Sequence, residues 1–223
     1  MRERSWGVWV VVGLSLLVGS RASAKDSAER WTMAPRLYAQ GQLGLFGDVH
    51  LHSDSVSGTD SLEPSGGAVL GFEIPLATVF SIGAEAGGWA WNSDRGDSYD
   101  ISSSFLGDLS IVPRFRVPWS TGNGPHGAVG LALPIGPTLS VLSEDIQSGL
   151  SHFGASANAG YGLNLGAMIN GQFFIVPAFG FTFDVGYQHH FMWHEVRGTF
   201  GDTHQVQLDM GQFVMRAGII VAL

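Results

Sequence analysis

The residues best suited to chemistry in this chain of 223 are charged and imidazole side chains set at even spacings in otherwise apolar stretches. Arg36, Arg114, Arg116 and Arg216 form one set, and Glu73, Glu85, Asp108 and Asp184 form its acidic counterpart. Four guanidiniums and four carboxylates on one protein face could do one of two things. They could pair into a salt-bridge plug, because buried charges must be paired. They could instead ring a pore and select ions by charge. The histidines form a second set. His50 and His52 sit near the end of one segment, and His190 and His194 near the end of another. If they met, imidazole with carboxylates such as Glu195 or Asp209 would suit zinc or nickel. No H-E-x-x-H or H-x-x-E-H helix signature supports this, and polar residues at a rim read the same way. His189, beside Tyr187 and Phe191, is a possible general base for lipid acyl chemistry, which would also need a nucleophile and an orienting group. A residue in an interfacial aromatic belt reads the same way. Asp94, Asp97 and Asp100 lack an EF-hand pattern and read as solvated acids. No cofactor is expected.

Composition limits what could hold these groups. The chain has no cysteine, so a disulfide scaffold and a thiolate metal site are excluded. Its net charge of −8 disfavours nucleic acid, whose phosphates need a basic face. Arg2 and Arg4 precede an apolar run from Trp6 to Gly19 and then Arg21-Ala-Ser-Ala24, which reads as a signal peptide over residues 1–24. Its removal deletes three cations and one anion, moving the net charge from −8 to −10. Residues 25–35 are expected to be a short periplasmic leader.

From residue 36 onward the dominant signal is period two, as in strands whose side chains alternate between faces. Leu70, Phe72, Ile74 and Leu76 oppose Val69, Gly71 and Glu73, and Phe105, Leu109, Ile111, Phe115 and Val117 oppose Asp108, Ser110, Arg114 and Arg116. Eight such segments can be drawn. The first carries His50 and His52 on the same face as Gln40 and Gln42, and the seventh carries His190 and His194 opposite Phe179, Phe181, Phe183 and Tyr187. Val206, Leu208 and Met210 have the opposite parity to Phe213 and Met215, so a bulge is expected near Gly211. Connections 53–65, 92–102, 142–154 and 195–205 are long and polar. Those at Ala77–Thr78 and Asn170–Gly171 are tight, the latter a type I′ hairpin signal. Residues 119–127 form an intermediate link. Long connections at one end and short ones at the other are the pattern of a transmembrane barrel, which must close so that no backbone group faces hydrocarbon unpaired.

The segment Ala178-Phe-Gly-Phe-Thr-Phe-Asp-Val-Gly-Tyr187 and the terminal Met215-Arg-Ala-Gly-Ile-Ile-Val-Ala-Leu223 resemble the small eight-stranded outer-membrane barrels of the OmpA/OmpX type, although that family usually ends in an aromatic residue. The resemblance implies an eight-stranded antiparallel up-and-down barrel over residues 36–223. It also implies the outer membrane of a Gram-negative-type bacterium, with membrane lipid as neighbour and the long loops outside, open to extracellular partners. Family members are anchors, adhesins, narrow channels or lipid-modifying enzymes. The expectation is a non-enzymatic barrel with a structural or surface-contact role, or a very narrow porin-like channel. An acyl hydrolase or transferase is the alternative. A soluble lipocalin-like carrier is the third reading, and it would require the charged face outside. N-terminal sequencing of the membrane-extracted protein should find a start near Lys25; an intact Met1 would contradict the processing site.

Overall fold

The computed structural model describes residues 32–53, 57–91, 104–121, 125–143, 147, 151, 156–157, 159–198 and 202–223. Residues 1–24, most of 25–35, all of 92–102 with its three aspartates, and most of 142–154 lie outside them. The strands are β1 (Arg36–His52), β2 (Ser57–Leu62), β3 (Ser65–Ala77), β4 (Phe80–Trp91), β5 (Ser104–Ser120), β6 (His126–Ala132), β7 (Ile135–Val141), β8 (Ser156–Ala157), β9 (Gly160–Val176), β10 (Phe179–Arg197) and β11 (Thr203–Ala222). Three pairs, β2 with β3, β6 with β7 and β8 with β9, each make one interrupted stave. The result is the expected ring of eight antiparallel staves, closed where β1 pairs with β11 from Arg36↔Ala222 to His52↔Gln207. Backbone bonds also bridge the break between β6 and β7, where Leu133 N–H donates to Pro113 O and Gly166 N–H to Pro134 O. Among the described residues the ring of staves itself has no open edge, while β2 pairs only with β1 and β8 only with β10.

Side-chain alternation follows. Leu70, Val117, Leu109, Ile111, Phe181 and Phe183 stand outside the ring, 45–72% exposed. Arg36, Arg114, Glu73 and Asp184 are inside, at most 1% exposed. Small outward residues are covered by neighbouring rings. Gly171 lies beneath the Phe183 ring, where an added Cβ would meet that ring, and the two residues are directly paired across strands.

Four details differ from the sequence expectation. Asn170–Gly171 is not a turn: β9 runs through it to Val176, and the turn is at Pro177–Ala178. The pairing Phe183↔Gly171 holds that dipeptide extended, and cross-strand packing outweighs its turn propensity. Segments 53–65 and 195–205 are largely hairpin ribbon, with Ser57–Leu62 paired to Gly47–His52 and Glu195–Arg197 to Thr203–Gln205. There ladder bonds extend the strands, and Val49 and Leu62 of the first ribbon turn into the interior apolar cluster. The bulge is on β1, not at Gly211: the register shifts between Gly44 and Phe46, leaving Leu45 as the extra residue. Beyond it the faces exchange, so Val49 is buried while Asp48 and His52 are exposed and His50 is half-exposed. Strand β11 keeps one parity throughout, which turns Leu208 and Met210 inward with Val214.

The ring therefore has two halves. The half near the short connections (78–79, 121–125 and 177–178) is polar inside. In the far half the interior is apolar: Val49, Leu62, Trp89, Trp91, Leu106, Met192, Leu208 and Met210 pack as one cluster. Single nitroxide-labelled cysteines test the bulge directly in a chain without native cysteine. In bilayers a label at Phe46 should be mobile and accessible to lipid-phase oxygen, and one at Val49 immobilised. The reverse is expected of an unbulged strand.

Candidate functional site

The near-half interior is one connected charge network. Glu73 on β3 is its hub. Arg36 Nη1 lies 3.1 Å from Glu73 Oε1, Arg114 Nη1 3.6 Å from Oε2, and Arg116 Nη2 also pairs with Oε1. Gln172 on β9 joins the same group: its Oε1 accepts from Arg36 at 2.7 Å and from Arg116 at 2.8 Å, and its Nε2 donates to Glu73 at 3.1 Å. Glu85 on β4 is a second hub. It pairs with Arg114, with Arg216 at 2.9 Å, and accepts from the Tyr38 hydroxyl at 2.7 Å. The Arg114 guanidinium also donates to Tyr38 Oη at 2.7 Å and lies over that ring, 4.9 Å from its centroid. Arg216 is completed by Gln42 Oε1 at 2.8 Å and Gln188 Oε1 at 2.9 Å. Charge-assisted bonds of this kind are about twice as strong as neutral ones, and the planar guanidinium can serve two acceptors at once.

Local sequence explains the placement. Each of these residues occupies an inward position of a two-residue alternation, and the lumen has room for long side chains because glycines line it. Tyr38 lies against Gly71, its direct partner on β3, where a Cβ would meet the Tyr38 ring. The Arg114 guanidinium likewise occupies the space over Gly83.

All eight expected lumen charges point inward, but they form separate groups. Arg36, Arg114, Arg116, Arg216, Glu73 and Glu85 make the network. Asp184 is held by the amides of Gln40 (2.8 Å) and Asn170. Asp108 lies further up the barrel, bonded to His190 Nε2 at 3.1 Å, Gln188 Nε2 at 3.2 Å and Asn164 Nδ2 at 3.4 Å. Tyr38, Gln172, Gln42 and Gln188 were not named from the sequence as site residues. Their inward parity was legible, but neutral side chains carry no charge to draw attention to them.

The four histidines do not assemble. His190 and His194 are buried inside, as expected, whereas the Leu45 bulge puts His50 and His52 on the outer surface. There His50 Nδ1 bonds Thr59 Oγ1 at 2.8 Å, and the His50 and His52 rings stack at 6.5 Å. The sheet separates the two pairs. Among the described residues no three His, Asp or Glu side chains are placed to hold a metal. His189 faces outward, 4.3 Å from the Phe191 ring and 6.3 Å from that of Tyr187. With Tyr161 and Trp193 paired at 6.3 Å, these rings form an aromatic belt at the level where the outer face changes from apolar to polar.

A network with one acid between three guanidiniums makes a graded prediction. Glu73→Gln should cost about 3–5 kcal/mol where water stays out, and less where it enters. Asp184→Asn, whose bonding partners are neutral amides, should cost only about 1–2 kcal/mol. Urea unfolding in micelles, followed by tryptophan emission, gives both numbers.

No family model and no curated protein matches the chain. Solved structures do align with it. Neisserial surface protein A covers 84% of this chain and 97% of its own at 14% identity and a TM-score of 0.38. Ail, the attachment invasion locus protein of Yersinia pestis, covers 84% and 99% at 15% identity and 0.36. The P. putida toluene transporter TodX covers 91% and 72% at 11% identity and 0.26. With eight closed antiparallel staves, an apolar exterior and a charged interior, the chain is in architecture a small β-barrel of the outer-membrane type.

Proposed function

We propose that this chain is a non-enzymatic outer-membrane barrel whose lumen is closed by its own side chains, and that its contact with the surroundings is made at the far end. The observation that carries this reading is the inverted polarity of the near half. Leucine, isoleucine, valine and phenylalanine cover the outside while four arginines, two glutamates and an aspartate are buried within. In water this arrangement would forfeit the hydrophobic driving force and strand the charges. It is favourable only where hydrocarbon surrounds the ring. The same inversion disfavours a soluble carrier, which would bury its apolar face.

Closure of the lumen follows from what fills it. The Glu73 and Glu85 hubs span it with arginines from β1, β5 and β11. The gap between Gln42, Glu85, Asp108, Ser110 and Arg216 measures about 10 Å³, about the volume one water needs. Above it lies the apolar cluster of Trp89, Trp91, Leu106 and the methionines, a second barrier to hydrated ions. An anchor or surface-contact role fits such an interior better than conduction.

At the far end the ribbons β1–β2 and β10–β11 project polar side chains, among them His52, Thr59, Gln205 and Gln207. These ribbons are the described surfaces available to extracellular partners.

Planar-bilayer recording tests the closed lumen. The wild-type protein should show no steady conductance, and Arg114→Ala or Glu85→Ala should open a measurable ion leak. Steady wild-type current, unchanged by either substitution, would make the protein a channel.

A further inference from the structure

His190 is wholly buried where the polar layer of the lumen meets the apolar cluster of the far half, which is an expensive place for an imidazole. Its Nε2 is fully accounted for. It lies 3.1 Å from Asp108 Oδ2, and Gln188 Nε2, itself a donor to Asp108, is 3.4 Å away. A carboxylate only accepts, so Nε2 carries the proton that is donated to Asp108, and a metal ion would take the ring at Nδ1. That Nδ1 is buried and has no hydrogen-bond partner. An imidazole that donates one N–H to a carboxylate and leaves the other nitrogen bare is in the arrangement found for metal-ligating histidines, where the carboxylate fixes tautomer and ring orientation.

The neighbours at this level of the barrel are soft donors. Met210 on β11 is the direct cross-strand partner of His190 and points the same way, a pairing that sets side chains about 5 Å apart at Cβ. Met192 is two residues along β10 on the same inward face, and both methionines are buried in one cluster with Trp89. The Trp89 indole lies against the imidazole, ring centroids 5.2 Å apart. One imidazole nitrogen and two thioethers select a soft monovalent ion over zinc, calcium or magnesium. An indole face can shield such a cation from the side. Methionine chains are unbranched and adaptable, so two sulfurs can turn toward one point without moving the strands.

We propose that His190 Nδ1, Met210 Sδ and Met192 Sδ form a buried binding site for copper(I), oriented by Asp108 and covered by Trp89. The test uses the folded barrel in detergent micelles and chloride-free buffer, titrated calorimetrically with silver(I), a redox-inert substitute for copper(I), while tryptophan emission is followed. One silver ion should bind per chain and quench the emission. Methionine to leucine nearly conserves volume, so M192L/M210L should fold, as judged by its heat-dependent shift in gel mobility. It should bind silver about 100-fold more weakly, at the upper end of what loss of even an outer partner costs a metal site. If the double variant fails to fold, M192L and M210L singly should each weaken binding about tenfold on the same scale. Absence of silver binding, unchanged affinity in the methionine variants, or displacement of silver by equimolar zinc(II) would overturn the assignment.

Discussion

In the membrane proposed for this chain, every backbone amide within the hydrocarbon must find its partner in the chain itself, because hydrocarbon offers none. Closure of β1 onto β11 meets that demand, and the remaining features depend on it. A closed ring of eight staves has a lumen only wide enough for side chains. Whatever points inward is therefore held against whatever else points inward, and alternation along each stave becomes a division into two solvents. The charged residues of the near half are tolerable because closure brings β1, β3, β4, β5, β9, β10 and β11 around one axis, so that each arginine meets an acid or an amide oxygen from another stave.

The interior changes character along the axis. Near the short turns it is a lattice of arginine, glutamate and glutamine, with hydrocarbon outside. Toward the far end it becomes a cluster of tryptophan, leucine and methionine, and the outside becomes polar. The changeover coincides with the aromatic belt of Tyr161, Tyr187, Phe191 and Trp193. Below that level the barrel is organised against lipid. Above it the barrel is organised as a water-soluble β-protein would be, with a greasy core and a wet surface. His190 sits at the boundary, bonded downward to the polar layer through Asp108 and surrounded by the apolar layer above. The copper(I) proposal rests on that boundary position.

Stability and closure of the lumen have the same source. Buried ion pairs are poor contributors to stability compared with well-packed apolar side chains, but removing one member is severe. The network is thus better understood as a device that specifies one interior arrangement. Glu73 is held by three guanidiniums and an amide, and its loss would leave those guanidiniums facing one another without a counter-charge. Ion passage would require rearrangement of this group, on top of dehydration through the apolar layer.

The sequence alone determined the fold class, the number of staves and the face of almost every described strand residue between 65 and 198, because period two survives any detail of register. It also placed Arg36, Arg114, Arg116, Arg216, Glu73, Glu85, Asp108 and Asp184 in the lumen. Tertiary structure decided where the rule for naming the inner face reverses. Reading polarity as the mark of the lumen is valid only while lipid lies outside. Beyond the belt it assigned His50, His52, Leu208 and Met210 to the wrong faces, since there water lies outside and the apolar residues belong within. The extra residue at Leu45 that moves Val49 inside has no local signature, because a bulge is defined by the partner strand and not by its own sequence. Asn170–Gly171 had a strong local signature and still became strand, since fifteen residues of cross-strand pairing between β9 and β10 outweigh the preference of two. Which arginine meets which acid was likewise out of reach, because those contacts join residues up to 131 positions apart that only closure of the ring brings together.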